Sequence, residues 1–332
     1  MADLTTKYLG LTLRNPIVIG SSSLTDSLEK IVELDKNGAG AVVLKSLFEE
    51  QIMLEADHKL KQAEKNDMIY SDYSETLDYI DSHVKEKELN NYIELIKSAK
   101  AKVELPVIAS INAISNTEWT GFAKQIEAAG ADALELNIFI MPFNFSRECT
   151  ENESLYYAIL KKVKMAIDIP VAVKISPYFA NLGRVITKLQ QNGADALVLF
   201  NKFSNPDIDI QKQKLIHAEV FSQPNDIYNS LRWISLASSR LNIDLAASTG
   251  IHDGEAVIKQ LLAGATVTQI ASTVYKNGAS RINEILHFIH EWMDEKGYNY
   301  VDQFRGKLSS NAADNPEAFE RVQFMKYFSE IG

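Results

Sequence analysis

NGADALVLFN, at Asn192–Asn201, reads as the joint between a helix and a strand, and the same joint recurs along the chain. It returns as NGAGAVVLKS at Asn37–Ser46 and AGADALELN at Ala129–Asn137, and more loosely as AGATVTQIAS at Ala263–Ser272. Each copy follows an amphipathic stretch. Glycine ends the helix because it takes positive φ without a Cβ clash. The short apolar run that follows has the length and composition of a strand buried on both faces, as in a parallel sheet. In three copies the strand closes on a polar residue, Lys45, Asn137 or Asn201.

Eight such runs are predicted: Pro16–Gly20, Ala41–Lys45, Pro106–Ile111, Ala133–Asn137, Val171–Lys174, Ala196–Asn201, Asp244–Ser248 and Val267–Ala271. Helical stripes lie between them. Leu155, Ile159, Val163 and Ile167 share one face, and Ile282, Ile285, Leu286, Ile289 and Met293 another. Asp26-x-x-Glu29 and Ser115-x-x-Glu118 read as capping boxes, and Asp253 as a helix cap. Eight strands alternating with helices over about 250 residues predict an α/β fold of the closed (β/α)8 TIM-barrel type. An open doubly wound sheet is the alternative, but no glycine-rich dinucleotide turn follows the first strand. The expected organisation is one barrel domain over residues 1–310 with a tail at 311–332 packed on or near it. Long connections are expected after strand 2 (Leu47 to about Glu88), strand 4 (Ile138–Glu153) and strand 6 (Lys202–Asn229). All three leave from the same face and read as walls or lids.

Composition narrows the function. The chain has 332 residues, 46% hydrophobic and 23% charged, with a formal charge of −10. That balance argues against nucleic acid or an anionic membrane as partner and for a small-molecule substrate. No run approaches bilayer length, and the first residues do not read as a signal peptide. With a single cysteine, Cys149, the cytoplasm is the expected compartment. No P-loop, HExxH, GxSxG or GxGxxG occurs, and no metal site is expected; His287 and His290 read as a solvated helix face.

The predicted strand ends gather Gly20, Ser21, Ser22, Lys45, Ser46, Ser110, Asn112, Asn137, Lys174, Ser176, Asn201, Ser248, Thr249, Gly250, Ala271, Ser272 and Thr273 at one mouth. Two lysines and two asparagines closing apolar strands are costly without partners. A planar polar ligand held by amides beside a lysine accounts for them. Pairing of a lysine with Glu135 inside the barrel is the structural alternative. The small residues after strands 7 and 8 suit a phosphate held by backbone N–H groups, although ordinary tight turns would look the same.

These motifs resemble the dihydroorotate dehydrogenase family, and its soluble cytosolic class in particular. The resemblance is carried by NPIVIGSSS at Asn15–Ser23, VVLKS at Val42–Ser46, ELN at Glu135–Asn137 and VKISPY at Val173–Tyr178. It continues through STGIHDGEAVIKQLLAGATVTQIAST at Ser248–Thr273 and KGYNYVDQFRGKL at Lys296–Leu308. It implies an FMN-dependent oxidoreductase acting on a CH–CH bond in pyrimidine biosynthesis, a homodimer. The implied cofactor set is Gly20, Ser21, Lys45, Ser46, Asn137, Lys174, Asn201, Ser248, Thr249, Gly250, Ala271 and Ser272. Lys45, Asn137, Asn144 and Asn201 are implied to meet substrate. The chain also departs from the family. Where the family carries Asn-Leu-Ser-Cys-Pro-Asn or a serine variant, it reads NIFIMPFN (Asn137–Asn144), without the Cys or Ser base. The family's NSMGLPN loop is missing, FSQP at Phe221–Pro224 replaces a glycine pair, and Thr249 and Ala271 stand where glycine is usual. Tyr70, Tyr73 and Cys149 are weak candidates for a substitute acid or base; a lone cysteine is more often a small buried side chain. A homologue that kept the barrel and lost the chemistry, serving as a binding or regulatory protein, is the alternative.

Overall fold

The computed structural model describes residues 2–48, 73–113, 119–203 and 205–312. The chain opens with a hairpin, β1 (Thr6–Tyr8) and β2 (Leu11–Leu13), antiparallel across a two-residue turn. There follow β3 (Ile17–Ile19), α1 (Leu28–Lys36), β4 (Ala41–Val43), β5 (Leu47–Phe48), α2 (Tyr73–Lys100), β6 (Val107–Ala113), α3 (Trp119–Ala128) and β7 (Ala133–Ile138). Next come α4 (Cys149–Lys164), β8 (Val171–Ile175), α5 (Leu182–Gln191), β9 (Ala196–Leu199) and a second hairpin, β10 (Pro206–Asp209) and β11 (Lys214–His217). The chain continues through α6 (Ile227–Ser238), β12 (Asp244–Ser248), α7 (Gly254–Ala263), β13 (Val267–Ile270), α8 (Ser272–Asn277) and α9 (Arg281–Lys296). Strands β3, β4, β6, β7, β8, β9, β12 and β13 pair in parallel in that order, and β13 pairs back onto β3. The ring is closed, as a (β/α)8 barrel requires.

The joints behave as the repeat implies. Gly38, Gly130, Gly193 and Gly264 take φ of 90°, 93°, 96° and 111°. The aspartate of each Gly-Ala-Asp copy does more than the motif suggests. Asp132 accepts from the Val107 N–H at 2.8 Å and from Lys100 Nζ at 2.7 Å, and Asp195 repeats both contacts with Val171 (2.7 Å) and Lys164 (2.7 Å). One carboxylate thus closes the start of the preceding strand and ties down the end of the helix before it.

Strand alternation divides the core in two. Ile17, Ile19, Val42, Leu134, Leu136, Val173 and Leu197 face outward and pack with the helices. Val18, Ala41, Val43, Ile108, Ala133, Ala172, Ala196, Val198, Ala246 and Val267 face the lumen. The alanines leave room that Tyr8, Leu9 and Leu13 of the first hairpin fill from the N-terminal end. Asp244, opening β12, accepts the Leu9 N–H at 2.8 Å and holds that plug in place.

Several expectations change in detail. Asp26 caps no helix: it accepts from Lys30 Nζ at 2.8 Å, and α1 starts later, with Ser27 at its N-cap. Asp253 does cap α7, accepting the Ala256 N–H at 2.8 Å. The Ser115 box and the tail beyond residue 312 lie outside the described residues. The connections after strands 2, 4 and 6 are not plain loops, because α2 begins at Tyr73, α4 at Cys149, and β10–β11 lies within the third. Cys149 is exposed rather than buried, since it opens α4 at the end of an exposed segment. No described helix is long and apolar enough to cross a membrane.

The plug yields a test. Leu13 is fully buried, so Leu13→Ala is expected to cost about 2–5 kcal/mol in chemical denaturation. The Tyr8 hydroxyl is buried without a hydrogen-bond partner among the described residues, so Tyr8→Phe is expected to leave stability unchanged or raise it. A loss above roughly 1 kcal/mol in Tyr8→Phe would mean the hydroxyl is engaged.

Candidate active site

Above the apolar lumen the inward positions turn polar at the C-terminal rim. Gly20, Ser110, Glu135, Lys174, Ser248 and Gln269 follow the lumen residues by two positions along their strands. A cavity of about 150 Å³ opens there, lined by Gly20, Ser21, Lys174, Asn201, Lys202, Ser222, Ser248, Thr249, Gly250, Ile251, Gln269, Ile270, Ala271 and Ser272. Nine of the residues implied to hold the cofactor are among them.

The remaining three adjoin or flank it. Ser46 meets the cavity residue Ser21 (Oγ–Oγ 3.0 Å) and donates its N–H to Ser21 Oγ at 2.9 Å. It also meets Ser110 Oγ at 2.7 Å. Tyr92 of α2 anchors this hydroxyl chain, accepting the Ser110 N–H at 2.7 Å and donating to the Ser110 carbonyl at 3.2 Å. Burial pushes the Tyr92 phenol well above its usual range, so it remains a donor. Asn137 reaches the cavity through Asn201, whose Nδ2 donates to Asn137 Oδ1 at 2.7 Å. Lys45 is half-buried at the end of β4, and its ammonium makes no hydrogen bond or ion pair among the described residues.

Lys174 satisfies both readings given for it. Its ammonium donates to Gln269 Oε1 at 2.8 Å and lies 3.7 Å from Glu135 Oε1, yet it also lines the cavity. Gln269 lies within AGATVTQIAS, and its only sequence signal is a glutamine in the middle of an otherwise small and apolar strand.

The loops after β12 and β13 interlock with the segment before α6. The Ser222 N–H donates to Ser272 Oγ at 3.0 Å, Ser222 Oγ lies 3.0 Å from His252 Nε2, and Lys276 Nζ donates to the Ser222 carbonyl at 3.1 Å. Burial, with Lys276 nearby, lowers the pKa of His252 and favours its neutral ring. At Gly250 an added Cβ would stand 2.1 Å from the Ile227 nitrogen, so only glycine fits. Thr249 takes φ of 77°, unusual for a β-branched residue, with its hydroxyl donating to the Phe200 carbonyl at 2.9 Å. Ala271, by contrast, has a negative φ of −145°, outside the left-handed region.

Other candidates fall away from the cavity. Asn144 is exposed and its side chain accepts from the Ser146 N–H at 2.9 Å. The loop carrying it is anchored where the Ile140 N–H donates to Tyr156 OH at 3.0 Å; burial raises that phenol to about 12. Met141 is 46% exposed and Phe139 stacks on Phe203, so neither fills the cavity. Tyr70 lies outside the described residues, as does the side chain of Tyr73. His287 pairs with Glu291 at 3.2 Å on an exposed face, and no group of three His, Cys, Asp or Glu suited to a metal occurs among the described residues.

A depressed histidine costs stability in acid: His252 resists protonation when folded and accepts it when unfolded. Stability is therefore expected to fall as pH drops below the ordinary histidine value of about 6.5. His252→Asn is expected to lose less of its Tm than the native chain between about pH 7.5 and pH 5. Equal losses would contradict this.

Residues 3–293 match the family described as Dihydroorotate dehydrogenase. "Dihydroorotate dehydrogenase B (NAD(+)), catalytic subunit" of Thermoplasma acidophilum is 26% identical, covering 92% of this chain and 99% of its own length. Proteins of the same description from Pyrococcus furiosus (26% identical; 90% and 97% covered) and Methanocaldococcus jannaschii (26%; 87% and 94%) are similar to it.

Proposed function

The chain belongs to the dihydroorotate dehydrogenase family, and on that premise we propose that it is an FMN-dependent oxidoreductase acting on the CH–CH bond of dihydroorotate or a related dihydro substrate. The supporting observation is the cavity at the rim, which nine residues of the implied cofactor set line, the buried Lys174 among them. The residues suit the cofactor. A Cβ at Gly20 would stand 3.4 Å from Gln269 Oε1, so glycine leaves the Gln269–Lys174 floor uncovered for a ring. Ser248, Thr249, Gly250, Ala271 and Ser272 would hold the phosphate end, with Ser21 and Ser46 near the ring. FMN, when bound, supplies the two-electron acceptor. The protein supplies orientation and charge: Lys174 and Lys45 favour the reduced, anionic ring.

Asn137 and Asn201 are proposed to hold substrate. Among the described residues, their mutual hydrogen bond leaves the Asn137 amide hydrogens and the Asn201 side-chain carbonyl free. A donor beside an acceptor matches the N–H and C=O edge of a pyrimidine-type ring. The loop at Asn137–Asn144 offers no base, since Phe139, Ile140 and Met141 take no proton. Proton removal from dihydroorotate is then slow, or the acid–base group is Tyr70, Tyr73 or Cys149. The same gap favours a second reading, a homologue that binds a ligand without turning it over. Because its relatives are named catalytic subunits, a second polypeptide passing electrons onward is part of the proposal, beside the homodimer and cytoplasmic location implied by resemblance. Cys149 alone cannot ligate an iron–sulfur cluster.

Anaerobic mixing of the FMN-loaded protein with dihydroorotate tests this reading. Bleaching is expected, slower by roughly 10²–10⁴ than with a positioned base. Tyr70→Phe, Tyr73→Phe or Cys149→Ala variants that bleach at the native rate lose their candidacy. Orotate binding is expected to weaken about tenfold or more in Asn201→Ala. Tight orotate binding without any bleaching supports the non-catalytic reading.

A further inference from the structure

The rim layer of the lumen contains a trio almost cut off from water: Lys174 is 7% exposed, Gln269 2% and Glu135 1%. Gln269 joins the other two. Its Nε2 donates to Glu135 Oε2 at 2.5 Å and its Oε1 accepts from Lys174 at 2.8 Å. The amide cannot turn over without breaking both bonds. Glu135 Oε1, fully buried, has no hydrogen-bond partner among the described residues, and the Lys174 ammonium 3.7 Å away is its compensation. A buried carboxylate oxygen without donors is tolerated only beside a cation. Below the trio lies Tyr8, whose phenol feels Glu135 and, more weakly, Asp244; above it the cavity opens, with Lys174 and Gln269 in its lining.

We propose that Glu135 and Gln269 are positioning residues for Lys174: Gln269, fixed in orientation by Glu135, holds the ammonium at the cavity floor, and the unspent Glu135 charge offsets it. The polarity met by a redox ring in the cavity is thereby set from beneath by residues that need not touch it. The redox half of this inference rests on the flavin reading; the positioning half does not.

Two measurements separate them. In cofactor-free protein, Glu135→Gln and Lys174→Met are each expected to lower Tm by on the order of 5 °C or more, since each leaves a buried charge alone. The double variant is expected to lose clearly less than the sum. Additive losses overturn the positioning of Lys174. In FMN-loaded protein, Glu135→Gln is expected to shift the flavin midpoint potential to more positive values, because a buried negative charge near the reduced ring is gone. Should Glu135→Gln fail to fold, Gln269→Met keeps both charges and similar volume. Lys174, released toward Glu135, then compensates it more fully and the potential falls. A native potential in the folded variant overturns the electrostatic claim, since a purely structural role leaves it unmoved. Coupling in the cofactor-free cycle together with failure to take up FMN would sink the flavin reading and leave Lys174 positioned for another ligand.

Discussion

A parallel sheet that closes on itself must bring all of its strand C-termini to one rim, and the rest of this molecule follows from that constraint. Side chains alternate along each strand, so every second residue points into a lumen too narrow for water. The lower layers meet this with alanine, valine and isoleucine, and with Tyr8, Leu9 and Leu13 inserted from the hairpin. At the rim the same inward positions become Gly20, Ser110, Glu135, Lys174, Ser248 and Gln269. One layer separates a sealed core from a polar floor. Polar groups in that layer must satisfy each other wherever a ligand does not, which is why Lys174, Gln269 and Glu135 form one network.

The departures from the family pattern sort themselves by geometry. Thr249 occupies a left-handed backbone position suited to glycine, at a strain of roughly 1–3 kcal/mol, and its hydroxyl bond to Phe200 offsets part of that. Ala271 has a negative φ of −145°, so it does not draw on the left-handed freedom that Thr249 lacks. Ser222, in the segment where a glycine pair is usual, ties that segment to Ser272 and His252. The cavity at the rim is present with these residues in it. Phe139, Ile140 and Met141 in the loop after β7 are different in kind, because none of them carries a side chain that exchanges a proton.

Much of the architecture was legible because it repeats. Glycine ending a helix, small residues and then an apolar run can be read wherever they recur, and the four joint glycines have the backbone that reading demands. The first hairpin escaped notice for a physical reason. Its turn is Leu9-Gly10, with φ of 55° and 72°, a conformation usually signalled by Asn-Gly or Asp-Gly. The β10–β11 hairpin escaped because its residues are nearly all exposed and show no buried face. In the site, strand-end polarity pointed to Lys174 and Asn201, but the hydrogen bonds joining Lys174 to Gln269 and Ser110 to Tyr92 cross from one element to another. Sequence spacing carries no trace of such contacts.

A flavin held at the rim would carry its own optical signature. The direct measurement is the visible spectrum of the purified protein, with the chromophore released by denaturation and identified. An oxidised-flavin spectrum, with FMN in the supernatant, is the expected result. A colourless protein that also fails to take up added FMN would contradict it.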